Sequence, residues 1–160
     1  MPQQLRTPFE AVSHSETTVR FPPTDRARDP IRLDEPAKAQ IAALASAIVP
    51  EIVRHASTGG DRVEISIIGY GTRGHSNTAF VGIRRARNVE LHLRRSMRAV
   101  GEQLALSAEL DKLVDRYPIG IQSHGAAAAP ETTGETLRER QQAALIRVTW
   151  LRFLDPVAVG

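Results

Sequence analysis

The pattern of hydrophobic and polar positions changes its period in the middle of the chain. Apolar and polar residues alternate from Val63 to Ile67, which is typical of a strand with one buried face. Glycines interrupt this pattern between Gly69 and Gly74. From Gly82 the apolar residues recur at about every fourth position, which predicts a long helix. This stretch therefore predicts a strand, a glycine-rich loop and a helix.

A strand and a helix are predicted before this stretch. Residues 17–21 are rich in β-branched types and are expected to form the first strand. Asp34 is a good N-cap for a helix that Gly59 and Gly60 should end. Pro50 lies inside this helix and is expected to kink it or split it in two, because proline removes a backbone donor.

Further elements are predicted after the central helix. Ser107 is an N-cap candidate for a short helix over residues 108–117, and residues 118–122 alternate as a brief strand. Residues 136–144 favour a helix, and residues 145–154 alternate as the last strand. The alternation of helices and strands predicts an α/β (α+β) fold, a two-layer sandwich of order β-α-β-α-β-β with helices packed on one face of a mixed sheet.

Length and composition predict a single domain. The chain has 160 residues, of which 41% are hydrophobic, enough for one core. Residues 1–16 are polar and aperiodic and are expected to form a flexible arm, residues 17–154 the domain, and residues 155–160 a tail. There is no cysteine, which excludes disulfides and thiolate metal sites. We expect no transmembrane segment, because we find no apolar run that is long enough to span a bilayer.

The positive charge of the chain is concentrated on the central helix. The net charge is +3 and the isoelectric point is about 9.9. On a helical wheel, most arginines of this helix share one quarter of the circumference: Arg84, Arg87, Arg94, Arg95 and Arg98. No aromatic residues interleave with them, which favours a solvated face over a nucleic-acid footprint. Arg85 and His92 fall on a flank, at the border of the apolar face, where Arg85 could point into a site or form a structural ion pair.

Other motifs do not indicate catalysis or a cofactor. The glycine loop matches the dinucleotide fingerprint, but Glu90, at the distance of the expected acid, lies within the helix. His75 and His124 follow strand ends and could approach each other if these strands are parallel neighbours, yet two histidines without a positioned carboxylate make a poor metal site. No nucleophile elbow is present. We therefore expect no enzyme activity, no metal and no cofactor.

Several of these features together resemble the OmpA-like C-terminal domain, which also occurs in MotB-type and Pal-type proteins. TVRF precedes a Pro/Asp loop and an amphipathic helix, and the central strand ends in GYGT where the family has Gly-His-Thr-Asp. GIRRARNV is similar to the family's Leu-Ser-x-x-Arg-Ala-x-x-Val, with Arg85, Ala86 and Val89 matching. The resemblance extends from Thr17 to about Arg152. The segment after the third strand adds matches at Pro130, Thr133, Gly134 and Arg138.

The resemblance implies a non-catalytic module that binds peptidoglycan or another carboxylate-bearing cell-wall peptide in the cell envelope. In the family, an Asp in the loop and an Arg at the helix start hold the diaminopimelate group, which needs an anion and a guanidinium fork. Arg85 matches this Arg, whereas Thr72 stands at the Asp position. Another residue then supplies the anion, or the domain is a degenerate structural or protein-interaction module within a larger protein. The expected ligand-binding residues are Thr72, Arg73, His75, Asn77, Thr78 and Arg85.

The first residues bear on the location of the protein. They lack the basic start, the apolar centre and the small-residue cleavage site of a secretory signal. A location in the envelope or outside the cell would therefore require an export signal elsewhere, which fits a module of a longer chain.

Overall fold

Helices and strands alternate along the computed structural model, which describes residues 9–21, 32–58, 62–71, 78–125, 129 and 136–154. The elements in these residues are β1 (Phe9–Arg20), α1 (Glu35–Thr58), β2 (Arg62–Gly69), α2 (Thr78–Gln103), α3 (Ala108–Asp115), β3 (Ile119–Ser123), α4 (Leu137–Gln141) and β4 (Ala143–Phe153).

The four strands form one mixed sheet in the order β1-β4-β2-β3. β4 runs antiparallel to β1 and β2, and β2 runs parallel to β3. α1 and α2 pack against each other and against the sheet. The buried residues between the two layers include Ile65 and Ile67 of β2, Ile146 and Val148 of β4, and Leu93 of α2. The predicted two-layer α/β sandwich with a mixed sheet is thus confirmed.

The opposite face of the sheet is largely polar. Glu64 is exposed, and Arg147 forms an ion pair with Glu16 on the neighbouring strand, with 3.0 Å between Nε and Oε1. A small apolar cluster interrupts this face near one end of the sheet, where Ile68 and Leu145 are buried together with Tyr70, Ala129 and Ala143. The core therefore has a large part under the helices and a small part on the other face.

Both predicted N-caps are confirmed. Oδ1 of Asp34 accepts a hydrogen bond from the Ala37 amide at 3.0 Å, and the Ser107 hydroxyl accepts one from the Leu110 amide at 3.3 Å. Pro50 is expected to kink α1 or to split it in two; α1 continues through Pro50, so the helix is not split. Pro50 lies on the exposed side of the helix, where the carbonyl that loses its donor can be hydrated.

The first strand is longer than predicted. β1 begins at Phe9, so residues 9–16, which we assigned to a flexible arm, belong to the sheet and pair with β4. The strand lies at the edge of the sheet, so half of its side chains are exposed, and a bulge between Ala11 and Ser13 shifts its alternation. Both features hide the period of two from a sequence pattern. Residues 1–8 and the predicted tail 155–160 lie outside the described residues.

Two helix boundaries also differ from the prediction. α2 begins at Thr78 instead of Gly82. The sequence pattern does not show this first turn, because Phe80 within it is exposed and does not contribute to the apolar stripe. α4 ends at Gln141, and β4 begins at Ala143, within residues that we assigned to a helix. Ala143 and Ala144 are good helix formers, and their burial in the sheet overrides this weak preference.

One described helix, α1, is long and apolar enough over Glu35–Ala56 to cross a membrane by length and composition. This finding corrects our expectation that the chain holds no such apolar run. Ile41, Ala45 and Ile48 of the same helix are fully buried in the core under the sheet. A core helix passes the same test of length and composition, and 33% of this window is buried, so packing accounts for part of the apolar character of α1.

The start of α2 lies in direct contact with the end of β2, and glycines make this contact feasible. A Cβ atom on Gly69 would lie 1.6 Å from the Gly82 carbonyl oxygen, and one on Gly82 would lie 2.2 Å from the Ser123 hydroxyl oxygen. Neither position can hold a larger residue unless the helix moves away from the sheet. This contact fixes the first turns of α2 over the ends of β2 and β3.

We expect Gly69→Ala to lower the free energy of unfolding by about 3 kcal/mol or more, because the new methyl group meets backbone atoms that cannot rotate away. Gly120→Ala is the matched control in the adjacent strand, where the nearest atom to a new Cβ is the Ser66 Cβ at 3.8 Å. It should change stability by less than about 0.5 kcal/mol. Urea denaturation of the three proteins measures both values, and equal midpoints would contradict the close contact.

Candidate functional site

The four strands have their ends together at one end of the sheet. β4 runs antiparallel to β1 and β2, so the carboxyl ends of β1, β2 and β3 lie beside the amino end of β4. The Phe21 amide donates to the Gln142 carbonyl at 2.8 Å, and the Gly71 amide donates to the Gly125 carbonyl at 2.6 Å. The residues that follow or precede the four strands are thereby held together at this end of the sheet.

Arg85 of α2 connects three elements at this end of the sheet. Its Nη1 atom donates to the Tyr70 carbonyl, just after β2, and to the Gln141 carbonyl at the end of α4, each at 2.8 Å. The guanidinium carbon lies 5.4 Å from the centre of the Phe21 ring, within the range of a cation–π contact. We call Arg85, Phe21, Tyr70, Gln141 and Gln142 the Arg85 site.

Arg85 is fully buried, with 0% of its surface exposed. The sequence places it at the border of the apolar face of α2, and the structure shows that it is buried there. The reason lies in the backbone, since carbonyl groups at strand and helix ends need donors when they are buried, and the long arginine side chain supplies them. Burial lowers the pKa of Arg85 to about 10, so the guanidinium still carries its charge at neutral pH.

A second buried donor lies at the same end of the sheet. Within the described part of the chain, the side-chain Nε2 of Gln142 is buried without a hydrogen-bond partner. The main-chain carbonyl of the same residue accepts a hydrogen bond from the Phe21 amide. A buried polar group left unpaired costs about 1–3 kcal/mol, so such a group in a folded protein calls for an explanation. Gln142 is not evident from the sequence, because two adjacent glutamines at the end of a predicted helix give no signal of burial.

The aromatic residues beside the site are packed as a pair. Tyr70 is buried, and its ring meets the ring of His124 edge-on, with 5.7 Å between the centroids. Burial raises the pKa of the Tyr70 hydroxyl, with Arg147 opposing and Glu16 reinforcing this change. The backbone amide of His124 donates to the Gly69 carbonyl at 3.0 Å. β2 and β3 pair in parallel, which meets the condition for the approach of His75 and His124 and brings His124 to the end of β2.

The other predicted site residues are only partly described by the structure. Thr72, Arg73, His75 and Asn77 lie outside the described residues, and Thr78 is the first residue of α2. The approach of His75 to His124 therefore stays a prediction. Among the described residues, no group of three or more His, Asp or Glu side chains could hold a metal ion.

Comparisons with known proteins find similarity in structure. No family model matches the chain, and no curated protein matches its sequence. The periplasmic domain of MotB from Helicobacter pylori is similar at 12% identity over 94% of this chain and 83% of that domain, with a TM-score of 0.47. The OmpA-like domain of FopA1 from Francisella tularensis subsp. tularensis SCHU S4 is similar at 16% identity over 89% and 77% of the two chains, with a TM-score of 0.45.

A third similar structure is the peptidoglycan-associated lipoprotein from Burkholderia pseudomallei, at 14% identity over 83% of this chain and 88% of that one, with a TM-score of 0.42. These structures represent the MotB-type, OmpA-like and Pal-type domains that the sequence resembles. With TM-scores of 0.42 to 0.47, the likeness is distant, and it assigns no ligand or partner to this chain.

We expect Arg85→Lys to lower the free energy of unfolding by about 2 kcal/mol. The shorter side chain with its compact ammonium group cannot reproduce the planar fork, and a carbonyl left without its donor costs about 1–3 kcal/mol. Arg87→Lys, two residues along the same helix and exposed, should change stability by less than about 0.5 kcal/mol. Thermal and urea denaturation measure both variants, and equal losses would argue against the buried contacts.

We expect Gln142→Leu to raise the free energy of unfolding by about 1 kcal/mol, because it replaces a buried amide nitrogen that lacks a partner with an apolar group of similar size. Gln122→Leu on β3 is the control, since Gln122 is exposed and its replacement removes no buried polar group. A loss of stability in Gln142→Leu, measured by urea denaturation, would show that its amide is satisfied in the folded protein.

Proposed function

We propose that this chain is a non-catalytic binding module that associates with peptidoglycan, or with another carboxylate-bearing cell-wall peptide, at the Arg85 site. The observation that supports this proposal is a buried cation close in the fold to a buried amide nitrogen, that of Gln142, which has no partner within the described residues. The amide nitrogen is a hydrogen-bond donor that a ligand with acceptors could satisfy. A carboxylate is also the acceptor that a guanidinium prefers.

The anchoring of Arg85 favours such a ligand. Its Nη1 atom is fixed by the carbonyls of Tyr70 and Gln141. A guanidinium held in this way loses little conformational entropy when it binds an anion. The low polarity around it also strengthens an ion pair relative to one at the surface.

Burial sets a condition on binding. Since Arg85 is 0% exposed, a ligand reaches it only when covering side chains such as Phe21 move aside. Thr72 stands where the related domains carry an acid for the ammonium of diaminopimelate. Removal of one partner of a buried charge pair costs about 2–5 kcal/mol, so we expect weak binding that depends on the carboxylate of the ligand more than on its ammonium.

The second candidate function is that of a structural or protein-interaction module without a ligand. It is favoured by one observation, that Nη1 of Arg85 is occupied by two backbone carbonyls and so already has a role in holding the fold. In either case we infer a location in the cell envelope, neighbouring domains of a larger protein, and no catalysis. The two candidates differ in whether the Gln142 amide has a function.

Sedimentation with purified peptidoglycan distinguishes the two candidates. We expect the wild-type protein to sediment with peptidoglycan, and Arg85→Lys and Gln142→Leu to reduce the bound fraction, by about tenfold for Arg85→Lys, since a hydrogen bond to a charged group contributes about 1.5–3 kcal/mol. Arg87→Lys and Gln122→Leu are the matched controls and should bind like the wild type. Circular dichroism of each variant confirms that it is folded.

Gln142→Leu is the decisive variant, because it should fold at least as well as the wild type. Its loss of binding together with unchanged or higher stability would support a ligand site. If the wild type fails to sediment, or if every variant sediments equally, the binding module is refuted and the structural candidate stands.

A further inference from the structure

α2 carries the positive charge of the chain. Between Thr78 and Gln103 it contains six arginines and two glutamates, a surplus of four charges, while the whole chain carries a net charge of +3. The remainder of the chain is therefore slightly acidic. Such a concentration on one surface helix indicates an anionic partner more directly than a basic composition does.

The exposed side of α2 combines these charges with apolar groups. Arg84, Arg87 and Arg95 are exposed on the side opposite the buried residues of this helix. Phe80 and Leu91 lie in the same stripe, with 56% and 47% of their surfaces exposed. The guanidinium carbon of Arg84 lies 5.6 Å from the centre of the Phe80 ring. The stripe is thus cationic and apolar together.

The remaining arginines of the predicted stripe have local partners. Arg94 pairs with Glu90 at 3.1 Å and donates to the Tyr117 carbonyl at 2.9 Å. Arg98 pairs with Asp115 at 2.6 Å, and this contact lowers the pKa of the aspartate. In the described part of the chain, no ion pair joins Arg84, Arg87 or Arg95 to a carboxylate. The available charge is therefore concentrated on these three residues.

α1 adds an uncharged surface beside the stripe. Residues 39–50 include no charged side chain, and their exposed positions are mostly small: Ala39, Gln40, Ala42, Ala43, Ser46, Ala47 and Pro50. α1 and α2 cover the same face of the sheet, so their exposed sides point away from the sheet together. Burial lowers the pKa of His92, and the nearby cations Lys38 and Arg95 lower it further.

We propose that the outer surface of α1 and α2 binds the surface of an anionic phospholipid bilayer. Arg84, Arg87 and Arg95 contact the phosphate groups, and Phe80 and Leu91 enter the boundary between headgroups and acyl chains. From Phe80 to Arg95 the stripe extends for about 22 Å along the helix axis at 1.5 Å per residue, so it can lie flat on a membrane. Residues 39–50 of α1 carry no charged side chain and so offer no repulsion to acidic headgroups.

A membrane accounts for this surface better than a nucleic acid does. Phosphate contacts alone would satisfy the arginines, but they would leave Phe80 and Leu91 exposed to water. Stacking on bases requires several aromatic side chains, and Phe80 is the aromatic residue in this stripe. The proposed surface does not include the Arg85 site, so it is independent of the proposed association with peptidoglycan.

Vesicle flotation tests the proposal on the full chain. We expect the wild type to float with vesicles of equal parts phosphatidylglycerol and phosphatidylcholine, and not with phosphatidylcholine alone. Arg84→Glu, Arg87→Glu and Arg95→Glu combined should lower the partition coefficient by about 100-fold or more, since each cation near an anionic membrane contributes about fivefold. Phe80→Ser with Leu91→Ser, which keeps the charge, should lower it by about tenfold.

The matched control is Arg62→Glu, Arg116→Glu and Arg152→Glu combined, which changes the net charge equally at exposed positions outside α2. It should retain more than half of the wild-type binding. An equal loss in this control would show that net charge alone drives binding and would overturn the proposal. So would equal flotation with phosphatidylcholine, or retention of a DNA duplex by a protein that does not float with either vesicle.

Discussion

The close approach of α2 to the end of β2 is the constraint on which the rest of the structure depends. Gly69 and Gly82 leave no side chain between the helix and the strand, so the first turns of α2 lie directly over the sheet. Arg85 then has the reach to bond the Tyr70 and Gln141 carbonyls from inside the core. A wider separation would leave these carbonyls without a donor and the guanidinium without its aromatic support.

Arginine has two distinct uses on the same helix. Arg85 is buried, pays for its desolvation with hydrogen bonds to backbone carbonyls, and holds elements that are distant in sequence. Arg87, two residues later, is exposed and contributes to the electric field outside the protein. A substitution of Arg85 affects the stability of the fold and the binding of any ligand together. A substitution of Arg87 affects only the binding of charged partners at the surface. The difference follows from helical geometry, since two residues of separation turn the side chain to the other side.

The predictable parts of this fold are those where one local signal dominates. β2 alternates cleanly, and the caps Asp34 and Ser107 mark helix starts that the structure confirms. Residues 9–16 of β1 are not predicted by the sequence, because an edge strand buries few side chains and the bulge shifts its period. The burial of Arg85 and the unpaired amide of Gln142 were also beyond the sequence, since both arise where residues about fifteen to sixty positions apart meet. A helical wheel shows direction around one axis, and it carries no information on what the neighbouring strand ends require.

The edge position of β1 has a consequence for the behaviour of the protein at high concentration. Within the described residues, this strand of twelve residues pairs with β4 alone, and its free side presents backbone groups that another chain could use to extend the sheet. The bulge near Ser13 breaks the regular spacing of these groups, and Glu10, Glu16 and Arg20 place charges along the strand. Both features disfavour the addition of a further strand, so the molecule is protected against the growth of fibrils from this edge.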